Sequence, residues 1–221
     1  MNLFSISHNS FYRRGYPWIN HIASGMAQTQ TCRACGEQQR FCTGDIEVTL
    51  EPRKGVTWPD VLGCGACPLF IVSVHVLKAW QFEKLADIPY YQVKLIGKIP
   101  AKLENKEPPA YFWIDGAKLQ GAKYDFEASG YVNARICPEC CRLYHDVSVT
   151  HKLQHSRKFP TVLNSWSGAN VFTTNFSPYR FFCTSKILDC ARKYKLTNFR
   201  FIPIEEGDAP ESEGVKYLKE S

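Results

Sequence analysis

Three Cys-x-x-Cys pairs punctuate this chain of 221 residues: Cys32/Cys35, Cys64/Cys67 and Cys137/Cys140. Each such turn aims two sulfurs at one point and leaves nearby backbone N–H groups to stabilise thiolate charge. Zinc takes four such ligands in a tetrahedron, so a structural site needs two turns brought together in space. A fold open to this sequence must therefore carry one pair back onto another across a long stretch of chain. The stretch CPECC, Cys137 to Cys141, adds a further choice, because three cysteines fall within it.

The turns differ in chemistry. Cys35 is followed by Gly36, which tolerates the positive φ that ends a knuckle. The third pair has the form Cys-Pro-x-Cys, in which Pro138 presets the turn. The middle pair, CGAC between Gly63 and Pro68, runs straight into an apolar stretch. These features rank Cys32, Cys35, Cys137 and Cys140 first as ligands of one structural Zn2+, with Cys64 and Cys67 as the alternative half-site. A redox pair of the thioredoxin type follows a strand and opens a helix, whereas Cys64/Cys67 precedes a strand. For a lone pair, buried thiols without metal are the plainer reading; two well-formed knuckles in a reducing compartment favour zinc. Cys42, Cys183 and Cys190 are expected in the core. His145, His151 and His155 read as surface residues, and His75 has no acid partner in its local sequence.

A 44% hydrophobic and 22% charged composition suits a globular chain. The net charge of +6 is dispersed and points only weakly to an acidic partner. No apolar run reaches the length of a membrane-spanning helix. The N-terminal MNLFSISHNSFYRR lacks an apolar stretch after its positive charges, so no signal peptide is read. The expectation is a cytoplasmic protein without membrane association, whose ten cysteines are thiols or ligands rather than a disulfide framework.

Hydrophobic patterning predicts strands at 2–6, 45–51, 110–116 and within 123–136, with irregular chain between 7 and 30 and a turn-rich segment around TWPDVLGCGACP. One layout occurs twice. Residues 69–85 read as a buried strand, a Ser73 cap and an amphipathic helix, followed by the strand in IPYYQVKLIGKIP. Residues 180–196 repeat this with Thr184 or Ser185 as the cap, followed by NFRFIPIE. A capping hydroxyl is expected to accept from a free backbone N–H at each helix start. The fold expected is a single α+β domain over 1–205 with a mixed sheet, two β-α-β-like units and a split zinc module around 32–36 and 137–141. Residues 206–221 form an acidic tail. Phosphate-loop, GxSxG, HExxH and GxGxxG signatures are absent from the sequence. Asp60, Asp115, Asp125 and Glu127 read as solvated or capping carboxylates. The chain is therefore not expected to be an enzyme.

TCRACG, WPDVLG, PLFIVS, PPAYFWIDG, YDFEASGY, CPEC and the closing FTTNFSPYRFFCTSKILDCARKYKLTNFRFIPI together resemble the bacterial double-CXXCG motif family. The resemblance spans roughly residues 2–205. Its first motif falls on Cys32, Cys35 and Gly36 and its second on Cys137 and Cys140, with Cys141 standing where the family places glycine. It implies an immunity protein of a polymorphic or contact-delivered toxin system, whose partner is a cognate toxin. Two other readings compete. A zinc-ribbon nucleic-acid binder would use the basic charge and aromatics such as Tyr90, Tyr91, Phe199 and Phe201, which fit strand packing equally well; a thiol redox protein would use the cysteines directly.

Overall fold

A computed structural model describes residues 2–8, 15–26, 30–39, 42–51, 55–64, 69–124, 126, 133–140, 143–144, 161–162, 165–175, 177–204 and 216–217. Cys67, Asp125, Glu127, Cys141, His145, His151, His155 and most of the acidic tail lie outside them. The first half of the chain runs β1 (Leu3–His8), β2 (Trp18–Met26), β3 (Gln30–Thr31), β4 (Gln38–Gln39), β5 (Cys42–Leu50), β6 (Val61–Cys64), β7 (Ile71–Ser73), α1 (Val74–Phe82), β8 (Tyr90–Ile96) and β9 (Tyr111–Ile114). The second half runs β10 (Gln120–Tyr124), β11 (Arg135–Ile136), β12 (Leu143–Tyr144), β13 (Thr161–Val162), β14 (Val171–Thr174), β15 (Ser177–Thr184), α2 (Ser185–Lys193), β16 (Phe199–Pro203) and β17 (Lys216–Tyr217).

Six strands close a barrel in the order β2-β5-β8-β9-β7-β6, and a seven-stranded sheet has the order β13-β10-β14-β15-β1-β16-β17. The two sheets are copies of one topology. In the first, β7 and β8 both pair antiparallel with β9, so the β7-α1-β8 crossover straddles β9. In the second, β15 and β16 both pair antiparallel with β1, so β15-α2-β16 straddles the N-terminal strand. Registers agree as well: Ser73 faces Tyr111 as Thr184 faces Leu3, and Tyr90 faces Ile114 as Phe201 faces Ile6. On the other flank, β2 pairs parallel with β6 as β10 does with β14, and antiparallel with β5 as β10 does with β13. The second unit thus takes its middle strand from the opposite end of the chain. The units differ in closure. In the first, β5 also pairs with β8 and completes the barrel, while in the second β17 lies beside β16.

The helices form where apolar residues fall at helical spacing. Val76, Ala79 and Trp80 are the buried face of α1, and Ile187, Leu188, Cys190 and Ala191 that of α2. Both helices end alike. Lys84 and Lys195 each take φ 53°. Leu85 N–H then bonds to Trp80 O and Leu196 N–H to Ala191 O, which satisfies carbonyls of the last turn. The buried faces of the helices meet equivalent sheet faces in a shared core, where Phe70 and its counterpart Phe181 lie 5.1 Å apart between ring centroids. A second core fills the barrel, and a smaller cluster around Leu3, Phe172 and Phe182 is its counterpart in the other unit.

The structure departs from expectation at two strands and at the helix caps. Residues 7–30, expected to be irregular, contain the nine-residue strand β2. Its register with β5 shifts at Ile19/His21, Ile22/Ser24 and Ser24/Met26, and these bulges break the alternation by which a strand is recognised. The turn-rich segment contains β6, wholly buried in the barrel wall. The capping hydroxyls make no bond to the helix N–H groups. Ser73 Oγ instead donates to Asp60 Oδ1 at 2.7 Å and Thr184 Oγ1 to Asn170 Oδ1 at 3.0 Å.

Asp60 and Asn170 are therefore equivalent clasps, and each reaches into the other unit. Asp60 Oδ2 accepts from the backbone N–H and Oγ1 of Thr197, just after α2. Asn170 Nδ2 donates to Leu85 O, just after α1. Asp60 is thus a nearly buried linking group rather than a solvated carboxylate, and it sits 3.2 Å from His75 Nδ1. Asp115 does act as a cap, accepting from Ala117 N–H. Asp60→Ala leaves Ser73 and Thr197 donors without a partner, and is expected to lower unfolding free energy by about 2–3 kcal/mol. Urea unfolding measures this, and an unchanged midpoint contradicts the role given to Asp60.

Candidate metal centre

Each of the outer Cys-x-x-Cys pairs sits at the tip of a small antiparallel hairpin. In the first, Gln30 faces Gln39 and Thr31 faces Gln38; in the second, Arg135 faces Tyr144 and Ile136 faces Leu143. The hairpins belong to equivalent places in the two units, between β2 and β5 and between β10 and β13. The first tip is held by Cys32 N–H bonding to Glu37 O and Gly36 N–H to Cys32 O, both at 2.8 Å. Gly36 takes φ 75°, so the glycine after this pair meets a real conformational demand.

The tips meet residue for residue. Cys32 Sγ lies 3.6 Å from Cys137 Sγ and Cys35 Sγ 3.4 Å from Cys140 Sγ, each pair 105 positions apart. All four sulfurs lie within 4.8 Å of one another. A tetrahedral ion with metal–sulfur bonds of ~2.3 Å spaces its ligand sulfurs by about 3.8 Å. The observed cluster closes on that size, so the residues fit a bound metal ion. Cys32 and Cys137 are buried, while Cys35 and Cys140 are half-buried. Four thiolates would leave no coordination position for a substrate, which is the pattern of a structural site.

Neighbouring groups tune the cluster. The Tyr144 hydroxyl, followed by the Glu37 backbone N–H, favours the thiolate of Cys35 and brings its pKa down to about 6. Burial pushes Cys32 the other way. Glu139 lies between the cysteines of the second hairpin and reaches the first: its Oε2 accepts from Ala34 N–H at 3.3 Å and lies 3.5 Å from Cys32 Sγ. Neither Glu139 nor Tyr144 stood out in the sequence, because a carboxylate within CPEC and a tyrosine after it carry no signal until the hairpins are brought together.

The clustered cysteines are the first and third pairs. Cys64 lies instead in the barrel core, and Cys183 and Cys190 in the shared core. Cys42 packs half-buried against the barrel core. Of the aromatics weighed for stacking on bases, Phe199 and Phe201 are fully buried and stack on each other at 5.4 Å. Tyr90 is half exposed, and Tyr91 stacks on Trp113. No helix among the described residues is long and apolar enough to cross a membrane. Neither a protein-family model nor a curated protein matches the chain.

The thiols divide by reactivity. Burial raises Cys183 well above the usual thiol range. Burial, then the Glu83 carboxylate, pushes Cys190 up to about 11. A raised pKa keeps the unreactive thiol form at every pH below it. At pH near 8, alkylation with mass-spectrometric readout is expected to label Cys32, Cys35, Cys137 and Cys140 only after a chelator is added. Cys183 and Cys190 stay unlabelled until the chain unfolds. Labelling of the four before chelation, with metal bound, contradicts the site.

Proposed function

We propose that this chain is a cytoplasmic immunity protein that binds a cognate bacterial toxin and neutralises it, with Zn2+ as the ion of its four-cysteine centre. The observation that carries the reading is the closed cluster of Cys32, Cys35, Cys137 and Cys140, which joins the two positions where the chain resembles the double-CXXCG motif. Four soft thiolates in a tetrahedron suit zinc, which needs no particular geometry from its d-electrons. Such a centre has a structural part to play, which agrees with a protein that acts by binding rather than by turnover. The net charge of +6 would speed encounter with an acidic toxin face.

Two measurements test the reading. Expression of the chain is expected to rescue cells that produce the toxin encoded beside it, and the two proteins are expected to co-purify in equal amounts. Cys32→Ser and Cys140→Ser are expected to lose zinc, thermal stability and protection together, because the metal's binding energy is part of the folding energy. Failure to bind or rescue refutes the immunity role. Full zinc occupancy in either variant refutes the ligand set.

A further inference from the structure

A cleft of about 640 Å³ opens directly beside the two hairpins. Leu69, Phe70, Ile114 and Phe181 form its apolar floor, and all four belong to the buried core. Its rim is rich in uncharged hydrogen-bonding side chains, Gln30, Thr31, Thr43 and Gln120, each of them exposed. An apolar floor inside a polar rim, at this volume, is the form of a recognition pocket.

One wall is aromatic and held in place before anything binds. Tyr91 stacks on Trp113 with ring centroids 5.1 Å apart and planes inclined by 27°. Trp113 Nε1 is anchored to Gly44 O at 2.9 Å. Lys118 Nζ donates to the Tyr91 hydroxyl at 2.6 Å and also pairs with Asp115. A ring fixed in this way loses little further freedom when a ligand packs on it. The duplicated topology supplies an internal comparison. Trp113 faces Tyr91 across β9 and β8, and in the other unit the residues at this pair are Ser5 and Ile202. The aromatic wall is thus not a requirement of the topology; the first unit alone carries it.

Charge narrows the ligand. Charge at the cleft is balanced rather than cationic among the described residues: Asp115 is paired with Lys118, and Glu139 lines the cleft with Arg33. A nucleotide would bring a phosphate, which demands a cationic lining. The amide and hydroxyl rim instead complements peptide N–H and C=O groups. We propose that this cleft receives an aromatic side chain presented by a partner polypeptide. Its roof comes from both hairpins, Cys32 and Arg33 of one and Glu139 and Cys140 of the other, so the metal that fixes the hairpins also fixes the cleft. Ligand and metal then strengthen each other's binding. The assignment builds on the reading of the chain as a protein-binding module, but its test needs no toxin, so either can fail without the other.

The test is a two-dimensional amide NMR titration of the metal-loaded full chain with N-acetyl-L-tryptophanamide, and in parallel with adenosine. Saturable shifts are expected at Phe70, Tyr91, Ile114 and Ala117 with the indole probe, and a weaker response to adenosine. Tyr91→Ala removes the wall, and Ala117→Trp fills the cleft from an exposed lining position while keeping every wall residue. Each is expected to weaken binding by at least about tenfold, and chelation is expected to weaken it in the wild type. Should Tyr91→Ala unfold, Ala117→Trp decides alone. No saturable shift, shifts elsewhere on the molecule, tighter binding of adenosine, or undiminished binding by Ala117→Trp overturns the proposal.

Discussion

Four sulfur atoms crowded within 4.8 Å of one another are the constraint on which the rest of this structure turns. As thiolates they would repel strongly in a half-buried site; as neutral thiols they would offer only weak hydrogen bonds in exchange for ordering two hairpin tips. A cation would resolve the conflict. It would replace mutual repulsion with four short bonds, and would tie together two hairpins that no ladder joins among the described residues. The partners across the cluster, Cys32 with Cys137 and Cys35 with Cys140, are equivalent residues of equivalent hairpins. The four-cysteine cluster therefore lies where the two units of the fold meet as counterparts.

The same relation organises the core beneath it. Phe70 meets Phe181, and Tyr194 donates to Glu83, its counterpart 111 positions earlier, at 2.7 Å. Asp60 and Asn170 each accept from the hydroxyl at their own unit's helix entry and grip the loop after the other unit's helix. Neither unit buries its helix alone: both helices bury their faces in one shared cluster, and β1 completes the second sheet between β15 and β16. The shared cluster ties the two copies of one topology together. The pairings of β1 with β15 and β16 join residues about 180–200 positions apart, and the bonds between units join residues up to 137 positions apart; contacts this far apart in sequence slow nucleation.

Much of the strand–helix–strand layout was legible before the structure, because buried strands and amphipathic helices leave strong apolar patterns at 69–85 and 180–196. The cysteine pairing was legible too, from Gly36 and Pro138 rather than from spacing. The duplication was legible only in part. Hairpins repeat at 105 positions and helices at 111, so no single period aligns both. The strand that completes the second unit stands at the far end of the chain, where no linear repeat would place it. Strand β2 was hidden by its bulges, and the clasp at Asp60 by the 137 positions that separate it from Thr197. The aromatic wall at Tyr91 and Trp113 could be read as strand packing; only the placement of the hairpins beside it turns it into the side of a cleft.

If the two equivalent hairpins share one metal ion, all four of its ligands are sulfur. X-ray absorption at the zinc edge of the metal-loaded chain tests this most directly. The account predicts a single first shell of about four sulfurs at ~2.3 Å. A shell with nitrogen or oxygen neighbours near 2.0–2.1 Å, or with two sulfurs only, would mean that the hairpins do not share the ion, and would contradict it.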